Sequence, residues 1–466
     1  MKLESLVESY KNEIVESVKK IVRIKSVEGQ SRPGMPFGEG VNEALEYALK
    51  LSEKLGFKTK NFEGYAGHAE FGEGDKTIGI LVHLDVVPEG DNWTYPPYGA
   101  EIHDGKIFGR GTIDDKGPAI AAMYAMKAVK ESGLPINNKI RIIFGTNEES
   151  GWKGINYYLS KVDAPDLAFT PDADFPVIHG EKGIVDIVLK KKFNNKCNDD
   201  IIIKSIKGGN RPNMVPDLCR AVIEVSDDKK DNVLNTFEQF IKNTGYNIDL
   251  EDNGNTLIVV SKGKSAHGST PEEGKNAISQ LMKFLNEIVS GECEICEFIK
   301  FYNDKIGMEY NGESIGCGLE DDVSGKLTFN VGVIDLSEDK VEVAVNIRYP
   351  IKHDKETIYN GIKEVISEMG IKIEEKDHLA PIYLPENHFL VEKLMKVYRE
   401  VTGDNESKPI TIGGGTYARA MDNAVAFGAL MPGQEELAHQ KDEYISIEHL
   451  MDITKIYAKA LYELVK

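Results

Sequence analysis

TIGILVH, residues Thr77–His83, is an apolar, partly β-branched run that closes on a histidine. Its length and composition predict a strand buried on both faces. Two further runs read the same way: KIRIIFGT (Lys139–Thr146) and DLAFT (Asp166–Thr170). Between the first two lies IAAMYAMKAVKESG (Ile120–Gly133), whose apolar residues recur at helical spacing and stop at a glycine. Strands alternating with helices predict an α/β domain with a mostly parallel sheet. Such sheets place their chemistry beyond the carboxyl ends of the strands.

Outward from this centre the pattern changes. After about Gly183, VDIVLKKKF, RAVIEVS, TLIVVSK and KVEVAVNIRYP alternate with the period of half-buried strands, separated by helices such as AISQLMKFLNEIV. This predicts an α+β lid with antiparallel sheet. The final stretch returns to helix and buried strand. The expected plan is a catalytic domain in two parts, residues 1–183 and 383–466, interrupted by a lid at 184–382. With 466 residues, more than one core is expected.

The formal net charge is -20, and so acidic a surface repels nucleic-acid phosphates. The first 25 residues form an amphipathic helix rather than a signal peptide, and no apolar run reaches the roughly 18 residues of a membrane span. The five cysteines are odd in number and scattered, and Cys293 and Cys296 read as incidental thiols. A cytoplasmic enzyme without nucleic-acid or membrane partners is expected.

Polar clusters follow each buried strand directly. His83 is two residues from Asp85, and residues two apart in an extended chain point the same way. Asp85 can therefore hold one ring nitrogen and leave the other for a metal. GRGTIDDKG (Gly109–Gly117) offers Asp114 and Asp115 before a helix. GTNEESG offers Glu148 and Glu149, and PDAD offers Asp172. Each is ordinary alone. Together they deliver nitrogen and hard oxygen donors without cysteine, a set suited to zinc, with manganese or cobalt as alternatives. So many carboxylates favour two cations over one.

HLDVVPEGDNW (His83–Trp93), GRGTIDDKGP (Gly109–Pro118), GTNEESG (Gly145–Gly151), FTPDADFPV (Phe169–Val177) and SAHGSTPEEGKNA (Ser265–Ala277) together resemble the M20 metallopeptidases. Within these they are most similar to the PepV-like dipeptidases, which include carnosinase-type Xaa-His dipeptidases. The resemblance implies a zinc-peptidase-like catalytic domain with a lid, and two divalent ions that activate a water. His83 and Asp172 would bind one ion, Glu149 and His439 the other, with Asp114 bridging and its peptide bond to Asp115 cis. Glu148 would be the general base, with Asp85 orienting His83. His267 would meet the developing oxyanion, and Asn213 and Arg348 the peptide. Gly414 and Gly415, in TIGGGTYAR, would bring backbone amides to the substrate carboxylate. The implied reaction removes the amino-terminal residue of dipeptides or very short peptides. The alternative is a related M20 amidohydrolase acting on N-acyl amino acids. A lid this large can supply His267 within one chain, so a monomer is expected.

Overall fold

The computed structural model describes residues 2–195 and 197–466. Strand Thr77–His83 pairs in parallel with Lys139–Gly145, His83 opposite Gly145, and on its other edge with Leu167–Thr170, Ile80 opposite Phe169. Ala424–Ala426 adds a fourth parallel strand beside Leu167–Thr170. Ile80, Leu81, Val82, Ile142, Ile143, Phe144 and Phe169 are all buried, as runs apolar on both faces require. Each such side chain contributes roughly 1.5–3 kcal/mol by leaving water. The parallel centre is as expected. Beyond it Ala66–Phe71 and Lys58–Asn61 continue the sheet antiparallel.

Helix Lys116–Ser132 crosses one face and is buried along nearly its whole length. Alanines set its close approach to helix Ile447–Val465, and Gly133 ends it in the left-handed conformation, φ 64°. The amino-terminal amphipathic segment folds as two helices, Lys2–Ser9 and Lys11–Val22, which bury Val7, Ile14, Val18 and Ile21 against this layer.

The chain separates into two compact units, Met1–His179 with Leu384–Ile410 and Gly415–Lys466, and Gly180–Tyr383 with Thr411–Gly414. The second unit holds an eight-stranded sheet whose neighbours are all antiparallel. Thr328–Ser337 and Lys340–Tyr349 lie near its middle, and Gly183–Lys192 lies beside its edge strand, Lys372–Leu379. Helices Ala277–Ile288, Glu294–Lys305 and Lys355–Ile366 complete its separate hydrophobic core. Among the described residues no helix is long and apolar enough to cross a membrane.

One buried histidine of the first sheet gives stability a pH dependence. His68 lies in strand Ala66–Phe71 with Nδ1 2.8 Å from the Tyr158 hydroxyl. Burial, aided by Arg141, lowers its pKa to about 4. The folded state therefore resists a proton that the unfolded chain accepts near 6.5. Its contribution is complete above that value and is lost as pH falls toward 4. In urea titrations, His68→Gln should shrink the loss of stability between pH 7 and pH 5 by about 1–2 kcal/mol. An unchanged difference would show that His68 takes up its proton equally in the folded and unfolded chain.

Candidate metal centre

The parallel register sets the site. His83 is level with Gly145, so the loop after Lys139–Gly145 begins beside it. Ile80 is opposite Phe169, which brings Asp172 level with His83, each three residues further along its own strand direction. Three strand ends thus meet before any side-chain chemistry is considered.

His83 is fully buried. Its Nδ1 lies 2.9 Å from the backbone oxygen of Asp85, a partner that can only accept, so the ring proton sits on Nδ1. Nε2 then presents a lone pair, yet it faces Asp114 Oδ1 at 2.9 Å and Asp172 Oδ2 at 3.6 Å. Acceptors meeting acceptors call for a cation or a proton between them. Burial opposes charge on this imidazole, but Asp172, Asp114 and Asp85 outweigh it and push its pKa well up.

The orienting group on Asp85 differs from the sequence reading. Its carboxylate is 3.7 Å from Nδ1 and instead accepts the backbone N–H groups of Glu148 and Glu149, each at 3.1 Å. Two-residue alternation holds only within a strand, and this strand ends at His83. Asp85 therefore steers His83 with its main chain and fixes the glutamate pair with its side chain.

Asp114 lies between two groups of donors. The ligand atoms of His83, Asp114 and Asp172 all lie within 4.8 Å of one another, and so do those of Asp114, Glu149 and His439. His439 Nε2 is 3.2 Å from Asp114 Oδ2 and 3.1 Å from Glu149 Oε2. These two carboxylates raise its pKa to about 10. Burial, with His83 opposing, lifts Asp172 to about 6. A ring nitrogen and carboxylate oxygens in each group, sharing one aspartate, fit hard or borderline divalent cations. The Asp114–Asp115 peptide is cis.

Glu148 stands beside this cluster, its Oε1 accepting the indole N–H of Trp152 at 3.2 Å. Burial pushes its carboxyl well above the usual range, with Asp172, Glu149 and Asp85 adding and His83 opposing.

Two residues that sequence reasoning missed hold the site in place. Glu443 is fully buried and paired with Arg110, Nη1 to Oε2 2.7 Å. The same carboxylate accepts the N–H groups of Gly111 at 3.0 Å, Ile113 at 2.9 Å and Asp114 at 3.3 Å. It thereby shapes the whole GRGTIDD loop. The signal available was an acidic residue four past His439, indistinguishable by type from its charged neighbours. Tyr417, also fully buried, packs edge-on to His83 with ring centres 6.4 Å apart. A Cβ at Gly145 would stand 2.3 Å from its hydroxyl, so glycine alone admits the ring there.

The remaining expected residues lie elsewhere. In the second unit, His267 is next to Ser269, Nδ1 to Oγ 2.5 Å, and Asn213 accepts the N–H of Gly268 through its backbone oxygen at 2.8 Å. Arg348 is buried in its strand, donating to Asn346 Oδ1 at 2.7 Å and to the Gly413 oxygen at 3.0 Å. Gly414 is half-buried in the same unit, while Gly415 is exposed in the first.

A parallel-centred sheet that gathers such donors at its strand ends, with a half-buried glutamate alongside, defines a metal-dependent hydrolase. Comparison with known proteins gives the particular family. Residues 79–463 match the model of "Peptidase family M20/M25/M40", and the chain belongs to that family. It is 41% identical over 461 residues to "Putative dipeptidase YtjP" of Bacillus subtilis (strain 168), covering 98% of each chain. It is 37% identical over 460 residues to "Putative dipeptidase" of Staphylococcus epidermidis, covering 98% of this chain and 97% of that one. The fold is shared with human carnosine dipeptidase 1, TM-score 0.59 at 15% identity over 99% of this chain and 98% of that one. It is shared equally with the di-peptidase Dug1p of Saccharomyces cerevisiae, TM-score 0.57 at 15% identity with the same coverage.

Proposed function

We propose that the protein is a dipeptidase which releases the amino-terminal residue of dipeptides or very short peptides, using two divalent ions, most simply zinc. The observation that carries this reading is Asp114, shared between two sets of donors, with Glu148 next to the donor Glu149 and held by the same Asp85 carboxylate. Support also comes from the dipeptidase names of relatives that match nearly end to end.

His83 and Asp172 would hold one ion, Glu149 and His439 the other, and Asp114 both. When bound, such ions supply Lewis acidity and lower the pKa of water. The chain's own groups do the rest. Asp85 fixes the His83 tautomer through its carbonyl and aims Glu148 through its carboxylate. Glu148 accepts the proton of the attacking water and returns one to the departing amine. Its burial keeps it basic enough for the first step and acidic enough for the second. Glu443 and Arg110 hold the backbone of Asp114 so that its two oxygens face different donors. The roles of His267 at the oxyanion, Asn213 and Arg348 at the peptide, and Gly414 and Gly415 at the carboxylate rest on their sequence motifs.

The test is hydrolysis by the full chain stripped with chelator and then given zinc, manganese or cobalt. Restored cleavage of Ala-Ala or β-Ala-His, with N-acetyl amino acids untouched, is the expected result. Cleavage of the acetylated compounds alone would replace the dipeptidase reading with a deacylase. The chain carries its own His267, and we assign it as a cytoplasmic monomer. A sedimentation mass near 51.7 kDa is expected, and twice that value would overturn the assignment of a monomer.

A further inference from the structure

The second unit contains another donor set, of different chemistry, that peptide hydrolysis does not use. Beyond strand Gly183–Lys192 the chain carries Cys197 and Asp199, and helix Glu294–Lys305 opens with Cys293 as its N-cap and Cys296 in its first turn. In sequence the CxxC has no second pair, which is why it reads as incidental. In the fold it gains a third thiol and a carboxylate. The ligand atoms of Cys197, Asp199, Cys293 and Cys296 all lie within 4.8 Å of one another. Cys293 Sγ is 3.1 Å from Cys296 Sγ, Cys197 Sγ is 3.1 Å from Asp199 Oδ2, and Cys296 Sγ is 3.9 Å from the same oxygen. Four donors around a tetrahedral zinc with bonds of about 2.3 Å stand about 3.8 Å apart, in the middle of this range.

Two features build the arrangement without reference to any ion. Glu294, the first residue of the helix, accepts the backbone N–H groups of Asn194 at 2.6 Å and Asn195 at 3.2 Å. That ties the segment leading to Cys197 onto the turn that carries the CxxC. Gly291 makes room for the fourth donor, since a Cβ there would stand 1.8 Å from Asp199 Oδ2. Cys197 and Cys296 are buried, as donors of an enclosed site would be. A cleft of about 250 Å³, lined in part by Asp199, Gly291 and Ser290, leads to the carboxylate from solvent.

We propose that Cys197, Asp199, Cys293 and Cys296 bind one zinc ion at a structural site. Three thiolates and a carboxylate complete four-coordination and leave no open position for substrate, which separates structural from catalytic zinc. Soft sulfur donors also set it apart from the nitrogen and oxygen donors around Asp114. The ion would pin the connection between Gly183–Lys192 and Ile201–Gly208 to the helix start, closing one end of the second unit's core.

The test uses the full chain loaded with cobalt(II) in place of zinc. Thiolate-to-cobalt charge transfer absorbs in the near ultraviolet, and the donors around Asp114 contain no sulfur and cannot give it. The expected result is that band in the wild type and its loss in Cys293→Ser/Cys296→Ser. Elemental analysis should find one equivalent of zinc fewer in that variant, with dipeptide turnover kept. Should the double variant fail to fold, the wild-type spectrum decides alone, and Asp199→Asn should keep the band while releasing zinc faster to a chelator. A wild-type cobalt protein without the band would overturn the site. So would an intact mass lower by two hydrogens in freshly purified wild type never exposed to chelator, which would assign Cys293 and Cys296 to a disulfide instead. Neither outcome depends on whether the chain cleaves dipeptides.

Discussion

Glu148→Gln should keep the fold and the bound metal and lower dipeptide turnover by about 10²–10⁴-fold, the usual worth of a positioned general base. The substitution is nearly isosteric, and a glutamine oxygen can still accept the Trp152 N–H that Glu148 Oε1 receives at 3.2 Å. The Asp85 carboxylate holds the backbone of this residue at 3.1 Å whatever its side chain. What disappears is proton transfer alone. The carboxyl is well suited to that task, because burial and its neighbours raise its pKa well above the usual range, and a stronger base takes a proton from water more readily. Cations bound next to it would draw that value back down. Turnover on Ala-Ala, metal content and thermal midpoint, measured together, check the claim. A variant with normal metal and more than about a tenth of wild-type turnover would remove Glu148 as the base.

How far the sequence led can be traced along the chain. The parallel centre was legible because Thr77–His83, Lys139–Gly145 and Leu167–Thr170 are apolar on both faces, and that property is local. The antiparallel edges were not, since Lys58–Asn61 and Ala66–Phe71 lack a distinct pattern and take their direction from the strands they join. Within the site, His83, Glu148, Glu149 and Asp172 could be suspected from their place after buried strands, and Asp114 from its place before a helix. His439 could not. It lies in a polar loop with φ 63°, and only likeness to a family singled it out. Glu443 stayed hidden because its partners, the N–H groups of Gly111, Ile113 and Asp114, are main-chain atoms that no residue type announces. Cys197 and Asp199 stayed hidden for another reason. What brings them to Cys293 and Cys296 is the bond network of Glu294 and the space at Gly291, both consequences of tertiary packing.

Asp114 and Asp172 separate a shared donor from a private one. Asp114 offers Oδ1 to the group containing His83 and Oδ2 to the group containing His439. Asp172, 3.6 Å from His83, belongs among the described residues to the His83 group and not to the His439 group. Asp172→Asn should therefore weaken one ion and leave the other, so dialysis against limiting zinc should leave close to one equivalent. Asp114→Asn replaces one of the two oxygens by an amide nitrogen that cannot coordinate, and removes the charge offsetting both cations. Both ions should weaken, and the same dialysis should leave well under one equivalent. Residues that merely orient a ligand change metal affinity by about 10–100-fold, and a residue that supplies an oxygen to each ion should exceed that range at both. Turnover at fixed low zinc should fall by more than about 100-fold and recover only in part at high zinc. The fold should survive, because Glu443 still holds the Asp114 backbone at 3.3 Å and Arg110 beneath it. If Asp114→Asn retained the same zinc as Asp172→Asn, Asp114 would serve one ion. The two donor groups would then be separate sites and not one bridged centre.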